Sequence, residues 1–362
     1  MRLIIQPDAG ISPLVKSIDK AKKSVKILIF RFDLAEVERA LVDAVKRGVF
    51  VQALIAFTSR GGEKTLRDLE MRFLSNGITV ARTSGDLVRY HGKMMIVDGK
   101  ELQVMGFNFT HLDIDHSRSF AVITRGRELV REAEVLFESD CKRQDYEGRS
   151  RKFIVSPANS RKRLAEFLKG AKKSLDIYDP KISDTEMLEI LEERFRAGVK
   201  IRVLGKAVHC SIPSRELSIR LHARTIVRDE TDVFSGSQSL RKLELDSRRE
   251  IGVIFRDPKT AKKITSLFEQ DWKSAKKRSE PVQHIAPSKA AKKVAKAVAK
   301  KLPMKPVIEQ VVKAVHKRST GNSRIDSKQL QKVVESSLKK IVQETVQDAT
   351  NEVVKDMVEE IA

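Results

Sequence analysis

The chain contains His91-Gly-Lys-Met-Met-Ile-Val-Asp98 and, 131 positions later, His222-Ala-Arg-Thr-Ile-Val-Arg-Asp229. Each stretch sets a histidine two positions before a basic residue and seven before an aspartate. The apolar run inside the first copy, residues 94–97, reads as a buried strand. Two such sets in one chain suggest a single site built from two halves. Paired histidines can divide nucleophilic and acid/base work on a phosphate between them.

The repetition extends outward from these stretches. Leu3-Ile-Ile-Gln-Pro7 matches Phe153-Ile-Val-Ser-Pro157, and Ala21-Lys-Lys-Ser24 returns as Ala171-Lys-Lys-Ser174. Gly48-Val49 returns as Gly198-Val199, and Leu54 as Leu204, all 150 positions apart. The offset then falls to 131, so the second copy is 19 residues shorter. The missing piece is expected to be the helix at residues 63–76 and the strand after it. Within the first half, strands are predicted at residues 4–5, 25–30, 51–56, 94–97, 102–106 and 120–124. Helices are predicted at 11–22, 35–47 and 127–138. Val37, Ala40, Leu41, Ala44 and Val45 have helical spacing, and Gly48 stops that helix as a C-terminal glycine does. Strands alternating with helices predict an α/β fold: two mixed-sheet halves, residues 1–147 and 148–279, packed around one site.

Composition changes after about residue 280. Residues 289–301 are lysine, alanine and valine alone, without an acid. Beyond them Val307, Ile308, Val311, Val312 and Val315, then Leu330, Val333, Val334 and Leu338, recur at helical spacing. Residues 280–362 are thus expected to be a basic linker and an amphipathic helical tail, able to dock, self-associate or lie on a membrane.

The 362 residues carry a net charge of +22, which favours anionic partners: a phospholipid or anionic membrane surface, or nucleic acid. Two cysteines, Cys141 and Cys210, make neither a disulfide framework nor a zinc site. No apolar run is long enough to span a bilayer, and the N-terminus turns polar too soon for a signal peptide. The expected location is cytoplasmic, with peripheral attachment at the inner membrane face left open.

The chain resembles the phospholipase D superfamily, whose signature is His-x-Lys-x4-Asp followed by Gly-Ser-x-Asn and a later acidic residue. The first copy reads His91, Lys93, Asp98, then Met105-Gly106-Phe107-Asn108. The second reads His222, Arg224, Asp229, then Gly236-Ser237-Gln238-Ser239. The resemblance covers residues 1 to about 275 and implies a duplicated phospholipase D-like fold with a phosphohistidine intermediate. It makes His91 the nucleophile and His222 the acid that protonates the leaving oxygen. Lys93 and Arg224 would hold the non-bridging oxygens, helped by Asn108 and Ser239. Arg224 stands where the family has Lys, and Ser239 where it has Asn; neither exchange is conservative. Glu250, 28 positions after His222, corresponds to the family's orienting acid, whereas the matching first-half residue is Ser119. His222 and Glu250 are therefore expected to form the acid/base arm. Asp98 and Asp229 are expected to organise the site from behind, since a carboxylate would repel phosphate. His111, Asp113, Asp115 and His116 are expected to form a polar loop at the cleft rim. No metal or cofactor is called for. Three functions remain open: a lipid head-group phosphodiesterase or transferase, a metal-independent nuclease, or a decayed DNA- or lipid-binding scaffold.

Overall fold

The computed structural model describes residues 1–57, 63–83, 87–208 and 210–277. The expected basic linker and tail, residues 280–362, lies outside the described residues. The first half runs β1 (Arg2–Gln6), α1 (Ser12–Asp19), β2 (Ser24–Ile29), α2 (Ala35–Lys46), β3 (Phe50–Ile55), α3 (Glu63–Ser75), β4 (Thr79–Arg82), β5 (Arg89–Tyr90), β6 (Met94–Val97), β7 (Glu101–Met105), α4 (His111–Asp115), β8 (Ser117–Thr124) and α5 (Arg127–Cys141). The second half runs β9 (Phe153–Val155), α6 (Ser160–Lys169), β10 (Ser174–Ile182), α7 (Thr185–Arg196), β11 (Lys200–Ala207), β12 (Ser214–Glu216), β13 (Arg220–Leu221), β14 (Arg224–Arg228), β15 (Asp232–Gly236), α8 (Lys242–Asp246), β16 (Arg248–Arg249), β17 (Ile251–Arg256), α9 (Pro258–Ser274) and β18 (Lys276–Lys277).

Each half forms a mixed sheet with the same order. The first is β1-β8-β7-β6-β2-β3-β4, and the second β9-β17-β15-β14-β10-β11-β12, extended by β18. In both, the first helical crossover joins parallel strands, β2 with β3 and β10 with β11, as such connections require. Gly48 and Gly198 end the crossover helices at φ 82 and 88, a left-handed conformation that glycine adopts without a Cβ penalty. The expected helix at residues 63–76 is present as α3 and has no counterpart among the described residues of the second half. The strand after it is not lost. Three residues of β12 run parallel to β11, as β4 does to β3. The deletion removed the helix, and a shorter connection still delivers an edge strand.

Apolar side chains of the described residues fall into three clusters. One lies within the first half, around Leu14, Ile27, Leu41 and Phe73. Another lies within the second, around Leu164, Ile177, Leu191 and Phe234. The third is shared: Phe120 and Phe137 of the first half pack with Phe153, Tyr178 and Phe268 of the second. Burial of these aromatic rings, each removing on the order of 150–250 Å² from water, welds the halves face to face.

Two short parallel pairings cross the joint. β13 adds to β8, with Arg220 opposite Ser117 and Leu221 opposite Arg118. β5 pairs with β16, with Arg89 opposite Arg248 and Tyr90 opposite Arg249. The segment before each histidine is thereby bound to the other half. Two ion pairs reinforce this. Arg118 donates to Asp271 of α9 at 3.0 and 3.2 Å, and Arg249 donates to Asp140 of α5 at 3.0 Å. These pairs are copies of one another at the 131-residue offset.

Candidate active site

The crossing pairings decide which groups meet. The amide of His91 donates to the carbonyl of Arg249 at 2.8 Å, and that of His222 to the carbonyl of Arg118 at 3.0 Å. Each histidine therefore lies beside the residue that follows that arginine in the opposite half: Glu250 for His91, Ser119 for His222. A Cβ on Gly92 would fall 2.6 Å from Ile251, so a glycine after His91 lets the Glu250–Ile251 strand approach closely.

The expected pairing of His222 with Glu250 is corrected. Glu250, fully buried, meets His91: Nδ1 lies 2.9 and 3.0 Å from its two carboxylate oxygens. His222 takes its acid from Asp113, with Nδ1 3.0 Å from Oδ2. Spacing within one half could not reveal this, because each half supplies the acid for the other half's histidine. Asp113, expected at the cleft rim, is buried. It accepts the Asn108 amide at 2.6 Å, the Asn108 side chain at 2.8 Å and Arg220 at 2.6 Å. His111, Asp115 and His116 do face outward, and His111 pairs with Asp115 at 2.9 Å. The missed signal was the offset itself. Asp113 plus 131 is Glu244, which likewise accepts the amide of Ser239 at 2.6 Å.

Both basic residues of the repeated motif lie at the joint. Lys93 is fully buried, and its Nζ stands 2.7 Å from His91 Nε2. Arg224 donates through Nε to Ser239 Oγ at 3.3 Å and through Nη1 to the His222 carbonyl at 3.1 Å. Ser239 thus aims the guanidinium, while Asn108 holds Asp113. Phe30 closes the wall against His91, edge-on at 4.8 Å between ring centres, with Lys93 over its face.

Asp98 and Asp229 are not at the site, contrary to expectation. They end the strands that His91 and His222 lead into, at the turn into the next strand. Asp98 accepts the amides of Lys22, Lys23 and Ser24 at 2.7–3.1 Å. Asp229 does the same for Lys172, Lys173 and Ser174 at 2.6–3.1 Å. They anchor the start of the neighbouring antiparallel strand, β2 for Asp98 and β10 for Asp229. Their spacing in the motif records the length of one strand.

Burial governs the charge states. It drives His91 well below the usual histidine value, helped by the positive charges of Lys93, Arg224, Arg89 and Arg248. Burial lowers Lys93 to about 7 against the pull of Glu250. It raises Glu250 to about 7, with Glu244 adding to the effect. His222 is lowered to about 4 by burial, with Asp113 opposing. Burial alone would raise Asp113, but His222, Arg220 and the Asn108 amide hold it well below the carboxylate range. At neutral pH His91 is therefore an uncharged imidazole. When Glu250 is ionised, the Nδ1–H is given to it and Nε2 carries the lone pair.

Residues 14–141 match the family model described as cardiolipin synthase, phospholipase D-like domain. The chain is 31% identical over 121 residues to the mitochondrial cardiolipin hydrolase of Danio rerio, over 33% of this chain and 52% of that protein. It thus spans about half the length of that curated relative. Among solved structures, polyphosphate kinase from Porphyromonas gingivalis superposes with a TM-score of 0.64 at 17% identity, covering 78% of this chain and 51% of that one. Phosphatidylserine synthase from Haemophilus influenzae gives 0.59 at 11% identity, covering 83% and 94%. At these identities the two structures speak for the fold alone. Residues 14–141 thus carry a phospholipase D-like domain, and the chain is similar to the phospholipase D superfamily, whose members cleave or transfer phosphodiesters. Among the described residues, no helix is long and apolar enough to cross a membrane.

Proposed function

We propose that the protein is a phospholipid phosphodiesterase that passes a phosphatidyl group to water or an alcohol through a phosphohistidine on His91. The observation that carries this reading is the pair of buried histidines, each with a carboxylate from the opposite half at Nδ1. Nε2 of His91 forms a bond to phosphorus as the bond to the head-group oxygen breaks. Glu250 stabilises the imidazolium that results. His222 gives its proton to the departing oxygen. It then takes one from the incoming water or alcohol, whose oxygen displaces His91. Burial keeps free His222 neutral, and the negative charge of a bound phosphodiester raises its proton affinity. Lys93 and Arg224 hold the non-bridging oxygens as charge accumulates there.

The lipid substrate draws support from the family model and the cardiolipin hydrolase relative. A large positive charge also suits anionic lipid surfaces. The test is cleavage by the full chain, with chelator present, of labelled cardiolipin and phosphatidylglycerol vesicles and of single- and double-stranded DNA. Product from lipid that vanishes in His91→Asn is expected. Cleavage of DNA with both lipids left intact overturns the lipid reading in favour of a nuclease.

A further inference from the structure

We infer that Asp140, on the closing helix of the first half, is a positioning residue that sets the contact between His91 and Glu250. One of its carboxylate oxygens accepts the hydroxyl of Tyr90, and the other accepts Arg249 at 3.0 Å. Tyr90 immediately precedes His91, and Arg249 immediately precedes Glu250. A single buried carboxylate therefore grips the flanking residues of both members of the dyad. The backbone completes the frame: Tyr90 and Arg249 are opposite one another in the β5–β16 pairing, and the His91 amide bonds the Arg249 carbonyl. Arg249 is further tied to the Ser156 carbonyl at 3.1 Å.

The duplicated counterpart lacks this double grip. Asp271 holds Arg118, before Ser119, but its tyrosine partner is Tyr178 on β10, at 2.8 Å. The residue before His222 is Leu221, which has no hydroxyl. The two aspartates thus share a role in joining the halves, and only Asp140 also fixes the spacing of a catalytic dyad. Displacing a reacting group by about 1 Å costs on the order of 10²-fold in rate.

The inference rests on the phosphodiesterase reading for its kinetic arm, so a second arm is independent of turnover. Asp140→Asn and Asp271→Asn are made in the full chain. The ring nitrogens of His91 are followed by NMR with labelled histidine, assigned through His91→Asn. In Asp140→Asn, His91 is expected to lose its fixed Nδ1–H form and to show both neutral tautomers in exchange. The Asp271→Asn spectrum of His91 should match wild type. On any phosphodiester that the wild type cleaves, kcat of Asp140→Asn is expected to fall about 10–100-fold with KM within about twofold. Unchanged His91 signals in Asp140→Asn overturn the inference. So does an equal disturbance of His91 in Asp271→Asn, because both aspartates would then merely hold the halves together. A wild type that cleaves no phosphodiester refutes the enzymatic reading, while the NMR comparison still decides the role of Asp140.

Discussion

Replacing Asp113 with asparagine isolates the acid arm of the site. The substitution keeps side-chain volume but removes the carboxylate placed at His222 Nδ1, 3.0 Å away. Two unit charges about 4 Å apart attract by roughly 4 kcal/mol at an effective dielectric near 20. Losing one partner of a buried ion pair costs about 3–5 kcal/mol in measured cases. His222 already titrates at about 4 with Asp113 in place, so without it the imidazolium is scarcely reachable. At 1.36 kcal/mol per tenfold, a loss of about 3–4 kcal/mol predicts a fall of about 10²–10³ in kcat. The fall should depend on the leaving group. A natural head-group alcohol needs a proton as it departs, whereas p-nitrophenolate does not. Asp113→Asn should therefore lose about 10²–10³-fold on an alkyl phosphodiester and less than about tenfold on a p-nitrophenyl one. Glu250→Gln should lose activity on both, because it weakens the attacking imidazole. Parallel losses for the two variants across both substrates would refute the assignment of acids to histidines.

Other consequences concern stability and pH. Lys93→Met should abolish turnover while raising stability by about 1–3 kcal/mol at pH 7, read from denaturant melts. Because burial lowers the Lys93 pKa to about 7, the unfolded chain holds the extra proton between about pH 7 and 10.5. The penalty is full below that window and relieved as pH rises through it, so the gain in Lys93→Met should shrink near pH 10. Asp98→Asn should leave kcat within about twofold but lower stability by about 1–2 kcal/mol, since three backbone amides lose a charged acceptor. Burial tends to raise Asp98, yet those amides hold it below 3.8. Its contribution is complete above that value and lost as pH falls through the lower folded pKa, so Asp98→Asn should flatten the acid limb of the melting-temperature profile. The turn after Asp229 places Glu230 at φ 58, where the first half has Gly99 at φ 59. Glu230→Gly should raise stability by up to about 1 kcal/mol, and an unchanged or lower melting temperature would contradict that account of the turn.

The architecture was largely legible before any coordinates. The strand at residues 94–97 matches β6 residue for residue, and the helix predicted over 35–47 is α2 extended by one residue. Both follow from apolar periodicity and a terminal glycine, which are local signals. The 131-residue offset located both histidines and their bases. What periodicity could not show was the destination of β5, β13 and β16, each two residues long and without a pattern of its own. These pairings carry each histidine across the joint, so acids were assigned within a half when they belong between halves. Asp98 and Asp229 misled for a related reason. A motif residue at constant spacing can mark the end of a strand as readily as a point in a site, and the repeated Ala-Lys-Lys-Ser segments that supply the six backbone amides do not announce which acid those amides bind.

The unequal acids have one more consequence. Were the first half to pair with a copy of itself in the same arrangement, His91 would meet Asp113 on both sides. The second half doubled would give His222 with Glu250 twice. Each half thus holds a complete recipe, and they are different recipes. In a symmetric pair any substitution appears at both histidines at once, so nucleophile and acid cannot be tuned apart. Joining two unlike halves in one chain lifts that constraint: the longer carboxylate serves one imidazole and the shorter, more tightly hydrogen-bonded one serves the other.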